Sequence, residues 1–231
     1  MLGELSRRGF MYAGLACLGG LLAGAAFGTQ GPVPEQRAEE EVTPNEDLMR
    51  EHGVLRRLLL VYEEISRRAA AGGLPLAQLA AASGLIRRFI EEYHEKLEED
   101  YVFPVFEKAG RLADLTAVLR AQHEAGRAIT GQLQEVAAHG VADTPASQRV
   151  SLSIAQFLRM YRPHAAREDT VLFPQFARVA GQEKYRELGE VFEDKEHELF
   201  GQAGFEDIVA EVESIEKDLG IYELAQFEPK Q

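Results

Sequence analysis

Four histidines and two glutamates carry the chemistry of this chain: His52, His94, Glu98, His123, His164 and Glu168. His94 and Glu98 are four residues apart, as are His164 and Glu168. On a helix each pair would share one face, about one turn apart. The two stretches also match beyond the pair. After each His come a Glu at four, an acid at five (Glu99, Asp169), a Phe at nine (Phe103, Phe173), a Pro at ten (Pro104, Pro174) and a Phe at twelve (Phe106, Phe176). Upstream, His52 precedes His94 by 42 residues and His123 precedes His164 by 41. The chain therefore holds two copies of one design, each offering a lone His and then a His-x-x-x-Glu unit.

All six residues fall on apolar stripes with helical period. The stripes run Leu48, His52, Leu55, Leu59, Tyr62; then Ile86, Ile90, His94, Glu98 or Leu97, Tyr101, Val105; then Leu112, Leu119, His123, Gly126, Leu133; then Ile154, Phe157, Tyr161, His164, Glu168, Val171. A buried ionised Glu without a partner is costly, and its pKa rises instead. Two such Glu with four His call for compensating positive charge, which two divalent cations supply. A single His on a core face is more often a hydrogen-bonded residue than a ligand. That bland reading would have to hold four times, at repeated spacing, beside two glutamates. Imidazole and carboxylate donors suit iron, with manganese or zinc as substitutes.

Other candidates are weaker. His139 stands beside Gly140 and reads as a helix-end residue favoured by the dipole. Tyr93, Tyr101 and Tyr161 lie near the cluster and read first as core aromatics. Phe103, Pro104, Phe173 and Pro174 read as packing and helix-end residues. His197 lies outside the repeat; a surface position, a role closing the bundle mouth and a fifth imidazole ligand all stay open. There is no His-Glu-x-x-His motif and no Gly-rich phosphate loop.

The positioning elements are helices. Ala, Leu, Glu and Arg dominate and no segment sustains strand alternation. Thr43-Pro44-x-Glu46 is a strong helix start, and Gly72-Gly73 ends that helix. Pro75 opens the second, which Gly110 breaks. The third runs to about His139-Gly140, and Thr144-Pro145 starts the fourth. Gly181 precedes a fifth helical region that ends around Gly220 and Pro229. The spacing predicts an all-α domain over 43–180 with a C-terminal helical extension over 181–231.

Residues 1–28 read as an export signal. Arg7 and Arg8 precede Phe10 and a short apolar stretch from Met11 to Phe27, which resembles a twin-arginine signal. Residues 29–42, with Gly31, Pro32 and Pro34, read as a linker. The expected location is periplasmic or otherwise extracytoplasmic, with anchoring by the N-terminus as a variant. The implied partner is the twin-arginine export machinery, a route that suits a protein already loaded with metal. The only cysteine, Cys17, lies in this segment, so the body has neither disulfide nor thiolate ligands. With a formal charge of -13, a nucleic-acid partner is not expected.

His52, His94-x-x-x-Glu98, His123 and His164-x-x-x-Glu168, each pair followed by Phe-Pro, resemble the hemerythrin-like, or HHE cation-binding, family over about residues 44–178. The resemblance implies an up-down-up-down four-helix bundle around a non-haem di-iron centre. It also implies that Glu98 and Glu168 bridge two iron ions while the four histidines are terminal ligands. Family activities include reversible oxygen binding, redox sensing, nitric oxide and peroxide chemistry, and iron handling. Oxygen-carrying members have a second His four residues after the helix-three His, where this chain has Arg127. They have an Asp five residues after the last His, where this chain has Asp169, so either Glu168 or Asp169 fits as the ligand. The expected ligand is a small diatomic molecule or peroxide, with an electron donor if the protein is an oxidase.

Overall fold

Thr43 opens the first helix as the sequence requires. Its hydroxyl accepts from the Glu46 N–H, and the Glu46 carboxylate returns to the Thr43 N–H at 2.9 Å. Such a reciprocal cap satisfies two orphan donors of the first turn. Helix α1 then runs Pro44–Ala70. The computed structural model describes residues 42–201 and 203–229, so the expected signal, residues 1–28, and most of the linker lie outside the described residues.

Helix α2 spans residues 76–108 and α4 spans residues 144–180; α3 is Ala113–His139. The fifth helical region is two helices rather than one, α5 at Gln182–Phe200 and α6 at Gly204–Asp218. Gly201 divides them at φ 80° and ψ -169°, a conformation essentially confined to glycine. A short 3-10 turn, Leu224–Phe227, follows. The described chain is all-helical. The cap of α4 falls one residue before the expected Thr: Asp143 accepts from the Ala146 N–H at 2.8 Å.

The stripes meet as their periodicity demands. Helix α1 packs on α2 and α4, and α3 packs on α2 and α4, enclosing Leu48, Leu55, Tyr62, Ile86, Phe89, Ile154 and Phe157. Each fully buried side chain of that size contributes about 1.5–3 kcal/mol. Helices α5 and α6 lie against α1 and cover its outer side through Leu188, Phe192, Ile208 and Val212. Arg57 of α1 forks onto Glu216 of α6 at 3.0 and 2.5 Å, fixing that cover. No helix among the described residues is long and apolar enough to cross a membrane.

Pro104 and Pro174 do not end their helices, contrary to the sequence expectation. Helix α2 continues to Lys108 and α4 to Ala180. A proline inside an α-helix lacks the N–H and crowds the carbonyl four residues back. Both helices answer with a wider π-helical turn just before it, Glu98–Val102 in α2 and Glu168–Leu172 in α4. The Phe103 N–H bonds to the Glu98 carbonyl, and the Phe173 N–H to the Glu168 carbonyl, each reaching five residues back. The widened turn begins in both cases at the candidate ligand glutamate. Such inserted turns recur at functional sites because they re-aim a side chain.

Candidate metal centre

All six residues singled out by spacing come together in the core. His52 is contributed by α1, His94 and Glu98 by α2, His123 by α3, His164 and Glu168 by α4, and every one is buried. Their donor atoms form two groups, Glu98 with His123, His164 and Glu168, and Glu98 with His52 and His94. Within each group one atom per residue lies within 4.8 Å of the others. Glu98 belongs to both.

Every imidazole points its Nε2 inward. His52 Nε2 is 3.4 Å from Glu168, His94 Nε2 is 3.8 Å from Glu98, His123 Nε2 is 3.4 Å from Glu98, and His164 Nε2 is 3.2 Å from Glu168. Each Nδ1 points outward to an oxygen acceptor. His52 meets Asp169 at 2.7 Å, His94 meets Glu51 at 2.6 Å, His123 meets Glu99 at 3.0 Å, and His164 meets Gln122 at 2.9 Å. An acceptor at Nδ1 places the proton there and leaves the Nε2 lone pair free, which is the tautomer a metal needs.

These outer contacts obey the internal repeat. Asp169 and Glu99 are the acids at five, and each serves the lone His of the opposite helix pair. The lone His is also stacked by the repeat Phe of that pair. Phe173 lies 5.4 Å from His52, and Phe103 lies 5.6 Å from His123. An arginine four residues after each lone His then holds the acid: Arg56 pairs with Asp169, and Arg127 meets Glu99 at 2.7 Å. The residue before each lone His, Glu51 or Gln122, accepts from the paired His. Sequence reasoning missed Glu51, Gln122, Arg56 and Glu95. A search for matching neighbours around His52 and His123 would have found the first three.

Of the two acids, Glu168 faces the cluster, and Asp169 turns to His52 Nδ1 and Arg56. Arg127 fills the space among Glu95, Glu99 and Glu124 with its guanidinium, at 2.8, 2.7 and 2.8 Å. Tyr161 donates to Glu95 Oε1 at 2.6 Å, and its ring lies 5.4 Å from His164. Gly126 makes room for that hydroxyl, since a Cβ there would lie 2.1 Å from it. His197 is half-buried and belongs to neither group. Exposed His139 donates its Nδ1–H to the Glu135 carbonyl at 2.6 Å, as a helix-end residue does.

The electrostatics describe a cavity short of positive charge. Burial, then the charge of Glu168, pushes the Glu98 carboxyl well above the usual range. Burial would also raise Glu168, but His164 and His52 outweigh it and hold it low. Burial presses His94 well down, reinforced by His52, and takes His123 down to about 4 against the pull of Glu99. Asp169 and Glu168 overcome burial at His52 and lift it to about 9. Both oxygens of Glu98, both of Glu168 and the Nε2 of His52 are buried without a hydrogen-bond partner. Such orphans are rare, and an ion inside the ring of donors would satisfy them together. The donor set therefore fits a pair of metal ions.

Comparison with known proteins agrees with this arrangement. The model of the hemerythrin HHE cation-binding domain matches residues 43–176 and again residues 116–219, the second match reaching through α5 and α6. Uncharacterized proteins of Mycobacterium tuberculosis and Mycobacterium bovis are each 49% identical over 204 residues, covering 87% of this chain and 79% of the relative. No solved structure matches. The chain belongs to the hemerythrin HHE cation-binding family.

Proposed function

We propose that this chain is an exported, non-haem di-iron protein that binds oxygen or a related small ligand, nitric oxide or peroxide. The four helices α1 to α4 would form an up-down-up-down bundle around the irons. His52, His94, Glu98, His123, His164 and Glu168 would hold them, with manganese or zinc as possible replacements. Iron there would supply reversible electron exchange and an affinity for small oxidants.

One observation carries the reading. His123 and His164 face each other Nε2 to Nε2 at 3.2 Å. Both Nδ1 atoms already serve oxygen acceptors, so two lone pairs oppose each other inside the buried core. A cation between or beside them removes the conflict, and Glu98 and Glu168 stand ready on the same side.

The protein's own groups do the rest. Asp169, Glu51, Glu99 and Gln122 hold the imidazoles in one tautomer and raise their basicity. Arg56 and Arg127 keep two of those acids ionised. Phe103 and Phe173 wall the histidines from water. The Arg7 and Arg8 motif supports export, and the need to fold around metal before leaving the cytoplasm supports that particular route.

A di-iron oxidase, peroxidase-like enzyme or ferroxidase is the second reading, supported by Arg127. That side chain is spent on three carboxylates, which leaves one imidazole fewer than oxygen carriers have. Metal analysis of natively purified protein, then optical spectra with and without oxygen, tests both. A reversible charge-transfer band favours carriage, and multiple turnover with peroxide or ferrous iron favours an enzyme. Protein that neither contains nor takes up transition metal would sink both readings.

A further inference from the structure

A second carboxylate cluster lies beside the centre. Asp47 and Glu51 stand one turn apart on α1 and Glu196 comes from α5; one oxygen of each lies within 4.8 Å of the others, and all three residues are buried. Some of their charge is met. Arg50 lies 3.6 Å from Asp47, the Phe205 N–H donates to Glu196 Oε1 at 3.3 Å, and Glu51 Oε2 receives His94. Glu51 Oε1 and the hydroxyl of Tyr93, a residue only 1% exposed, lack a hydrogen bond of good geometry, and the phenol and the carboxylate interact with each other. The Tyr93 hydroxyl faces the cluster. Beyond its burial, the charges of Glu51, Glu196 and Asp47 all make it harder to ionise.

The internal repeat shows that these acids exceed what the metal centre needs. At the position equivalent to Glu51 the other half has Gln122, and its neutral amide accepts His164 Nδ1 at 2.9 Å. At the position equivalent to Asp47 it has Val118, which is exposed. An amide would serve His94 as well and would avoid burying a charge. The carboxylate at 51 keeps a second oxygen that His94 does not use, close to the Tyr93 hydroxyl and in one group with Asp47 and with Glu196 of α5.

We propose that Asp47, Glu51 and Glu196, with the Tyr93 ring beside them but not among the ligands, form a third cation site that takes a hard divalent ion through carboxylate oxygens alone. Such donors select manganese, ferrous iron or calcium over soft metals. The site requires α5, so the region after residue 180 completes it. Glu51 links it to the centre, since an ion on Oε1 draws charge from the oxygen that holds His94. The site stands whether or not iron fills the six-residue centre.

Terbium luminescence tests it. The chain has no tryptophan, so ultraviolet-sensitised emission reports a tyrosine close to an oxygen-bound ion. Terbium added to the purified chain should luminesce. Tyr93→Phe should remove most of that emission while Mn2+ uptake, counted by electron paramagnetic resonance, stays at the wild-type level. Glu196→Gln should lose the emission and one Mn2+ per chain. Asp47→Asn, at the rim, should weaken terbium binding by roughly tenfold or more and serves if Glu196→Gln fails to fold. His123→Ala, which damages the six-residue centre, should keep the emission. Unchanged emission in Tyr93→Phe, together with unchanged emission and Mn2+ count in Glu196→Gln and Asp47→Asn, overturns the proposal, and the three acids then share a proton.

Discussion

Arg127 Nη2 meets Glu99 Oε1 at 2.7 Å, and that same oxygen takes the Nδ1–H of His123 at 3.0 Å. The residue in the place of an oxygen carrier's extra imidazole thus acts through the layer behind His123. Arg127→Ala would take the guanidinium from Glu95 and leave Glu99 with Lys96 alone. Loss of a largely buried pair costs about 3–5 kcal/mol, and the partial solvent contact of Arg127 lowers that to about 2–4 kcal/mol. Urea unfolding of the metal-free protein measures it. Arg127→Lys should recover only part, because an ammonium cannot fork between two carboxylates. An unchanged midpoint in Arg127→Ala would contradict this role.

Glu98 should show opposite effects on folding and on metal uptake. Its carboxyl is buried beside Glu168 and without a hydrogen bond. Glu98→Gln removes the cost of forcing this buried carboxyl to stay protonated beside Glu168 and should stabilise the metal-free chain by about 1–2 kcal/mol. It should also lower the metal content, because an amide is a poor replacement for a carboxylate shared by both groups. Thermal unfolding and metal analysis on one preparation decide the matter. Lower stability together with full metal content would reverse the assignment.

Gly126 and Tyr161 are matched in shape. Gly126→Ala would place a Cβ 2.1 Å from the Tyr161 hydroxyl, so the tyrosine must move off Glu95. Overpacking of this kind costs about 1–3 kcal/mol, against a gain in helix propensity of about 1 kcal/mol. Tyr161→Phe in the same chain removes the clashing oxygen and should restore part of the loss. A double-mutant cycle with no coupling would show that the contact is not what constrains position 126.

The metal-free protein should weaken toward alkaline pH. His52 is lifted from 6.5 to about 9 by Asp169 and Glu168, which together outweigh its burial. A group raised in the folded state binds more protons there than in the unfolded chain. Its contribution is complete below about pH 6.5 and fades as pH rises through 9. His52→Gln should flatten that part of the profile. Equal slopes in the two proteins, followed by urea unfolding, would remove His52 as the cause.

Much of the centre was legible because its candidate ligands replace Leu on periodic stripes, and a repeat of six matched positions is hard to mistake for chance. Caps and glycine breaks located the helices for the same local reason. Glu91 and Glu95 were not legible. They fall outside the repeated spacing, which gives no sign of burial, yet both are buried against α3 and α4 partners, Thr130 and Tyr161. The π turns escaped as well. Proline usually marks a boundary, and only the backbone shows a helix widening to pass it. The fifth region divided at Gly201 because one glycine inside a helical pattern does not announce which φ it adopts.

The cross-over of support between halves has a further consequence. His52 leans on Asp169 and His123 leans on Glu99, so neither half of the chain braces its lone histidine by itself. A nick in the turn around Gly110 would yield two fragments that each carry ligands and lack the acids that orient their lone imidazole. Reassociation and ion capture would then be a single event, with the ions acting as a clasp between two half-molecules.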